Sequence, residues 1–292
     1  MIDGRFSCPT GALAYKLYTP VGSPRRRMPL VVMLHGCTQS ARDFALGSDM
    51  NALADEFGFL VLYPEQSTSA NLVRCWNWHR PENQRRGSGE AATIAELTRQ
   101  TIAVCKANPA RVYIAGISAG GAAAAIIAAA YPDIFVAAGV HSGVAHGNVT
   151  GVRAALSAMK RGASSGHDKA RGGTRPVPTI IFHGDRDKTV HPCNADVFVR
   201  ALRPSSSRLL LQRTVHVPSG RARAYTRTVY SKGKGQPLLE EWIVHGAGHA
   251  WSGGSAKGSY TDPAGPDASR AMMRFFLARK HIGKSTKALV SG

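Results

Sequence analysis

A serine hydroxyl becomes a useful nucleophile only when an imidazole can take its proton and a carboxylate can fix that imidazole's tautomer. One segment of this sequence is shaped for such a serine: Gly116-Ile117-Ser118-Ala119-Gly120 fits the pattern G-x-S-x-G. A sharp strand-to-helix turn would hold Ser118 in a strained conformation with its hydroxyl above a sheet, where bulky neighbours at either glycine would clash. Gly121 and the alanines at 122 to 125 would let the following helix approach the strand closely. For a serine on this kind of turn, the acid and then the histidine are expected downstream. The run Thr179 to Phe182 leads into His183-Gly184-Asp185-Arg186-Asp187, which places two acids at the carboxyl end of a strand. Asp187 is the better candidate, because Asp185 sits beside Gly184 where it can serve a turn by bonding its own backbone. Asp185 stays open as the alternative.

Of the eleven histidines, His245 and His249 follow the acids on a loop after a strand, and His191 and His216 are less well placed. His249 lies in the glycine-flanked segment Gly246 to Gly254, which can carry an imidazole over the sheet, whereas His245 reads as the end of the strand. Acyl chemistry also needs donors for a developing oxyanion, usually backbone N–H groups. Ala119, directly after Ser118, would give one, and Cys37, in Leu34-His35-Gly36-Cys37-Thr38-Gln39 after an early strand, the other. Trp78 and Trp251 adjoin these motif loops and are expected to line a cleft, while Trp76 reads as core. Glu90 is expected to cap or brace the helix it begins.

Short apolar runs that end in turn residues alternate with helical spacing along the chain, the pattern of parallel βαβ units. Leu30 to Leu34, Phe59 to Tyr63, Val112 to Ala115, Phe135 to Val140 and Thr179 to Phe182 read as strands. Arg221 to Tyr230 and Leu238 to Val244 read as two more, joined by a turn at Gly233 to Gly235. Glu90 to Ala107 carries helical spacing that Pro109 ends, an alanine-rich helix runs from Ser118 to about Ala130, and Ala268 to Leu277 closes the domain. Residues 147–178, rich in Gly, Ser and basic side chains, form an excursion above the sheet around a short helix, Val152 to Met159, that fits either a lid or a solvated loop. Residues 284–292 read as a frayed basic tail to a single domain spanning 1–283.

With 292 residues and 43% hydrophobic content the chain can bury a full core. Thirty-seven Lys and Arg against 18 Asp and Glu give a formal charge of +19, which favours anionic partners or simply solubility. The basic residues are scattered, with no aromatic-interleaved module, so no nucleic-acid partner is expected. No stretch nears the roughly 18 apolar residues of a membrane span, so no membrane insertion is expected. Met1 to Thr10 lacks the apolar run of a secretory signal. Cys8, Cys37, Cys75, Cys105 and Cys193 form no C-x-x-C pair, which argues against structural zinc, and their odd number leaves at least one thiol unpaired.

Eight segments together resemble the polyhydroxybutyrate depolymerase-like esterases, a family that includes feruloyl and acetylxylan esterase relatives. They are His35-Gly-Cys-Thr-Gln39, Cys75-Trp-Asn-Trp78, Gln84-Arg-Arg-Gly-Ser-Gly-Glu90, Gly116-Ile-Ser-Ala-Gly-Gly121, Tyr131-Pro-Asp-Ile-Phe135, His141-Ser-Gly143, His183-Gly-Asp-Arg-Asp187 and Gly248-His-Ala-Trp251, and they extend from about residue 10 to 280. The resemblance implies an α/β-hydrolase fold with a mostly parallel central sheet flanked by helices. It implies a triad of Ser118, Asp187 and His249, an oxyanion hole at Cys37 and Ala119, and no metal or cofactor. The implied substrate is a short-chain poly(3-hydroxyalkanoate), its oligomers or another ester, with a feruloyl or acetylxylan ester as the alternative.

Members are often secreted, and a Cys37–Cys75 disulfide is one possibility the family raises. The sequence departs from the family at His79, where an aromatic is expected, and at Ser252, where proline is usual. Both positions could face substrate. A catalytically dead hydrolase kept as a binding module is the competing class, but such proteins usually lose the serine, the histidine or the elbow glycines, and all are present here. Nothing in the sequence sets an oligomeric state.

Overall fold

Leu30–Leu34 is apolar at every position, which suits a strand covered on both faces, and all five residues are buried. The computed structural model describes residues 1–22, 27–145, 149–162, 176–201, 209–218, 220, 222–232 and 235–281. In chain order its main strands are β1 (Ile2–Cys8), β2 (Gly11–Tyr18), β3 (Leu30–Leu34), β4 (Leu60–Glu65), β5 (Val112–Ile117), β6 (Ala137–His141), β7 (Thr179–Gly184), β8 (Leu209–Val217), β9 (Tyr225–Lys232) and β10 (Pro237–Val244). They form one sheet in the order β1-β2-β4-β3-β5-β6-β7-β10-β9-β8. The six strands from β4 to β10 in that order run parallel, and antiparallel pairs close both edges. The register sets Leu34 beside Gly116, Ile117 beside His141 and His141 beside Phe182, so the ends of the central strands meet at one edge.

Alternation along each strand divides the core in two. Val32, Leu34 and Ile114 pack on one face against α3 (Gly89–Val104), α4 (Ala119–Ala130), α5 (Val152–Arg161) and α6 (Cys193–Ala201). Val31, Met33 and Tyr113 pack on the other against α1 (Ala41–Ser48), α2 (Met50–Phe57) and α7 (Ala268–Leu277). This is the helix–sheet–helix layering expected of the α/β reading. Helix starts follow local chemistry: the Ser40 hydroxyl accepts from Asp43 N–H at 3.1 Å at α1, and Asp267 accepts from Arg270 N–H at 2.8 Å at α7.

A column of aromatic rings crosses the second face beneath the strand ends. Tyr225 stacks on Trp242 (4.7 Å between centroids), Trp242 on Phe182 (4.9 Å), Phe182 on His141 (5.8 Å) and His141 on Trp251 (5.1 Å). Phe44 meets Trp251 edge-on at 5.2 Å. Rings at these spacings contribute beyond their buried area.

The parallel strands lie within a few residues of their expected positions, though the strand expected from Phe135 begins at Ala137. The strand expected from Arg221 begins at Tyr225. The β1–β2 hairpin, β8, α1, α2 and α6 have no counterpart in the sequence reading. Of the excursion at 147–178, residues 149–162 and 176–178 are described and hold α5; its remainder, Arg221, most of the Gly233 to Gly235 turn and the 284–292 tail lie outside the described residues.

Adjacent acids on β10 point to opposite faces. Glu240 receives Arg227 at 2.9 Å and Arg274 at 2.6 Å, while Glu241 is buried and accepts a 3.5 Å bond from the Tyr230 hydroxyl. Burial, reinforced by the negative charge of Asp196, pushes the Glu241 carboxyl up to about 7 against the modest opposing pull of Tyr230 and His183. The folded chain therefore holds a proton that the unfolded chain releases near pH 4.5, and stability falls as pH rises from about 4.5 to 7. Glu241→Gln is expected to stabilise the protein at pH 8 by up to about 3 kcal/mol and to do little at pH 4, as denaturant melts at the two pH values will measure.

Candidate active site

The turn after β5 carries Ser118 at φ 56°, ψ −122°, a backbone state rare outside glycine, and α4 starts at the next residue. Its neighbours have no room for side chains. A Cβ on Gly120 would strike the carbonyls of Leu34 and His35, and one on Gly116 would lie 2.6 Å from the Leu34 carbonyl. The strained residue is held by its surroundings: Ser118 N–H donates to the His141 carbonyl at 2.9 Å, and the Ser118 carbonyl accepts from Ala122 N–H at 3.0 Å.

The turn after β7 and the loop after β10 meet at the same edge. His249 Nδ1 donates to Asp187 Oδ2 at 2.7 Å, with the carboxylate fully buried and the imidazole partly exposed. A Cβ on Gly184 would collide with the Ala247 and Gly248 backbone, so only a glycine lets the histidine loop settle on the strand end. Asp187 Oδ1 accepts from the N–H groups of Thr189 and Val190, each at 2.9 Å. Burial alone would push this carboxyl up, but the hydrogen bonds from His183 and His249, the imidazole charge and the Val190 amide outweigh it and hold it far below the usual carboxylate range. The alternative residues pair with each other instead: Asp185 accepts from His245 Nδ1 at 3.0 Å and from Gly246 N–H at 2.7 Å, at the surface.

The segment after β3 passes beside the serine, since a Cβ on Gly36 would lie 3.6 Å from Ser118 Cβ. Gln39 and His35 shape it. Gly36 N–H donates to Gln39 Oε1 at 2.8 Å, and His35 Nε2 accepts from Gln66 N–H at 3.1 Å, which leaves Nδ1–H to donate to the Gly36 carbonyl at 2.7 Å. Burial pushes the His35 imidazole down, so it stays neutral in this role. Cys37 N–H has no acceptor among the described residues, and Ala119 N–H, at the first position of α4, has none within its helix. Cys37 is joined to Cys75 by a disulfide, with the Cα atoms 4.2 Å apart, while Cys8, Cys105 and Cys193 are free.

Glu90 holds the Cys75 segment from below. Its carboxylate accepts from Gln66 Nε2 at 2.6 Å and from Asn77 N–H and Nδ2 at 2.8 Å each, so it braces this loop rather than its own helix. Trp76 is fully buried, as expected, and its Nε1 donates to the His35 carbonyl at 3.1 Å.

Trp251 departs from its expected place in the cleft. It is 1% exposed, stacked on His141 and bonded through Nε1 to Ser269 Oγ at 2.9 Å, so it is a core residue under the histidine loop. Trp78 is also mostly buried, with its ring edge-on to His79 at 5.9 Å; His79 keeps partial exposure, and its imidazole is pushed down by burial and by Arg80. Ser252 has a backbone reason to differ from the family's usual proline: its N–H donates to His141 Nε2 at 2.9 Å, a bond proline cannot make. Burial first, then nearby His183 and His249, push His141 down to about 3, so it remains a neutral acceptor. His141 and His183, whose Nε2 donates to the Val190 carbonyl at 2.8 Å behind Asp187, were quoted as motif residues without a role, and their signal in the sequence was only their position at the ends of apolar strands.

A mostly parallel sheet with a serine on a positive-φ bend after its central strand, and an Asp–His pair from the next strand ends, defines the chain as an α/β hydrolase. A family model described as Esterase PHB depolymerase matches residues 13–210, and the chain belongs to that family. Poly(3-hydroxyalkanoate) depolymerase C of Paucimonas lemoignei is 34% identical over 253 residues, 84% of this chain and 60% of that protein. Feruloyl esterase B of Neurospora crassa is 30% identical over 250 residues, 80% of this chain and 82% of that protein. The chain thus spans less than two thirds of the depolymerase but most of the feruloyl esterase. Among solved structures, an acetyl xylan esterase from Aspergillus awamori superposes with a TM-score of 0.67 at 22% identity, covering 85% of this chain and 94% of that one, a likeness of fold.

The disulfide closes a loop between positions 38 residues apart, for which chain entropy gives about 4 kcal/mol. Cys37→Ser/Cys75→Ser is expected to lose roughly that much stability in urea melts, and the wild type to lose a similar amount when thiol reductant is added.

Proposed function

We propose that the protein hydrolyses carboxylic esters through an acyl-serine, with Ser118 as nucleophile, His249 as base and Asp187 as the acid that orients it. The observation that carries this reading is the 2.7 Å bond from His249 Nδ1 to a buried carboxylate at the edge where Ser118 is held on its bend. With Nδ1–H given to Asp187, the lone pair of Nε2 is free to take the Ser118 proton. Ser118 Oγ attacks the ester carbonyl, His249 receives the proton, and the oxyanion rests on Cys37 and Ala119 N–H. The tetrahedral species collapses, the C–O bond to the alcohol breaks, and His249 returns the proton to that oxygen. Water, deprotonated by His249, then attacks the acyl-serine and releases the acid. The carboxylate of Asp187, kept anionic by its donors, stabilises the imidazolium in both steps.

For the substrate we favour short-chain poly(3-hydroxyalkanoate) or its oligomers, supported by the family match and the depolymerase relative. A carbohydrate ester is the second reading, favoured by the fuller overlap with the feruloyl esterase. In both readings we take His79, partly exposed beside the buried Trp78, as the side chain of this pair that meets the substrate.

Hydrolysis of p-nitrophenyl butyrate is expected to fall by at least about a thousandfold in Ser118→Ala and His249→Ala. Asp187→Asn should fall comparably, while Asp185→Asn, which touches only the surface pair, stays within about threefold of wild type. Equal losses in the two aspartate variants would refute the assignment of the acid. Turnover of hydroxybutyrate oligomers, methyl ferulate and acetylated xylan by one preparation ranks the substrates.

A further inference from the structure

The parallel strands all point to one edge, so the segments that leave β4, β6 and β7 emerge beside Ser118. Among the described residues those three segments carry nine cations: Arg74, Arg80, Arg85 and Arg86 after β4, Arg153, Lys160 and Arg161 on α5 after β6, and Arg186 and Lys188 on either side of Asp187. Hydrogen bonds hold the segments against one another around the site. Gly151 N–H donates to the His79 carbonyl at 3.0 Å, His191 N–H to the Met159 carbonyl at 2.7 Å, and Arg186 N–H to the Ala247 carbonyl at 2.9 Å. The cationic segments thus run from the Trp78 loop, along α5, to the histidine loop.

The charge on this edge is unbalanced. Among the described residues of these segments Arg74 pairs with Glu65 at 4.0 Å and Arg86 with Asp133; Arg80, Arg85, Arg153, Lys160, Arg161, Arg186 and Lys188 are exposed and form no ion pair. The acids on the same segments are Glu65, Glu82, Asp185 and the buried Asp187, and the two aspartates already have imidazole partners. Some cations elsewhere are matched: Lys16 pairs with Asp3, Arg270 with Glu56, and Arg227 and Arg274 with Glu240. The same segments expose apolar side chains, with Leu72 90%, Val152 62% and Leu156 53% accessible. Val152, Leu156 and Lys160 follow each other at helical spacing along α5, so one exposed face of that helix is greasy and ends in a positive charge.

We propose that this edge selects ester chains that carry a free carboxylate at one end, the cations drawing in the charged terminus while the apolar side chains receive the hydrocarbon of the repeat. This deepens the esterase reading and rests on it. Linear hydroxyalkanoate oligomers have this chemistry, with apolar repeats, internal esters and one terminal carboxylate, whereas acetyl and feruloyl esters of neutral sugars lack the charge. Several unpaired cations around a cleft raise the local concentration of an anion and its on-rate, by an amount that falls with salt. A carboxylate-ended substrate therefore gains in kcat/KM at low ionic strength, and its uncharged counterpart does not.

The test compares a linear 3-hydroxybutyrate trimer with the methyl ester of the same trimer, with p-nitrophenyl butyrate as a neutral reference. At about 20 mM salt the free acid should be preferred in kcat/KM by about tenfold, and at about 300 mM the preference should shrink to about twofold. Arg186→Gln/Lys188→Gln and Arg153→Gln/Lys160→Gln should each lower the acid-to-ester ratio at low salt. Equal turnover of the two trimers at low salt, or a preference that salt and both double variants leave unchanged, would overturn the proposal. Failure of the wild type to hydrolyse even p-nitrophenyl butyrate would overturn the esterase reading itself, and this proposal with it.

Discussion

The architecture turns on a close approach of backbones. The first turn of α4 lies so near the end of β3 that Gly120 touches the carbonyls of Leu34 and His35, with Gly116 equally tight beneath it. That contact forces the chain to reverse within one residue, and Ser118 takes the left-handed bend that results. Such a bend costs about 1–3 kcal/mol and persists only where surrounding structure over-determines it. Here the His141 carbonyl, the α4 ladder and the buried strands on both sides do so. The same approach brings Gly36 beside Ser118, so one steric constraint orders both the bend and the segment after β3.

Around that bend, each loop is tied down by its own buried polar group. The Cys37 segment has Gln39, His35 and the bridge to Cys75; the Trp76–Trp78 segment has Glu90; the turn at Asp187 has the Thr189 and Val190 amides. The histidine loop has His141, whose Nε2 takes the Ser252 N–H from below. Buried groups satisfied this fully restrict a loop to one arrangement, which a base must have if it is to meet its nucleophile.

The parts legible in the sequence were those encoded locally. The pentapeptide around Ser118 requires glycines at fixed offsets, parallel strands buried on both faces read as unbroken apolar runs, and the acid and histidine follow in a set order. What was illegible depends on partners far apart in the chain. The β1–β2 hairpin is half exposed at a sheet edge and interrupts its apolar residues with charge, so no clear period marks it. Trp251 adjoins His249, yet adjacency does not say which way a side chain points, and the ring turns down onto His141. Glu90 was assigned to its own helix because the loop it braces begins at Gln66 and Asn77, outside any local window. The Cys37–Cys75 bridge was raised only by the family resemblance, since nothing in the spacing of five cysteines pairs them.

The ring column from Tyr225 through Trp242, Phe182 and His141 to Trp251 joins elements made early in the chain to elements made near its end. During synthesis the serine bend, its sheet strands and the disulfide partners all emerge well before residues 225 to 251. Long-range contacts of this kind form late. A nascent or C-terminally clipped chain would therefore hold the Ser118 bend without the His249 loop that the proposed mechanism requires.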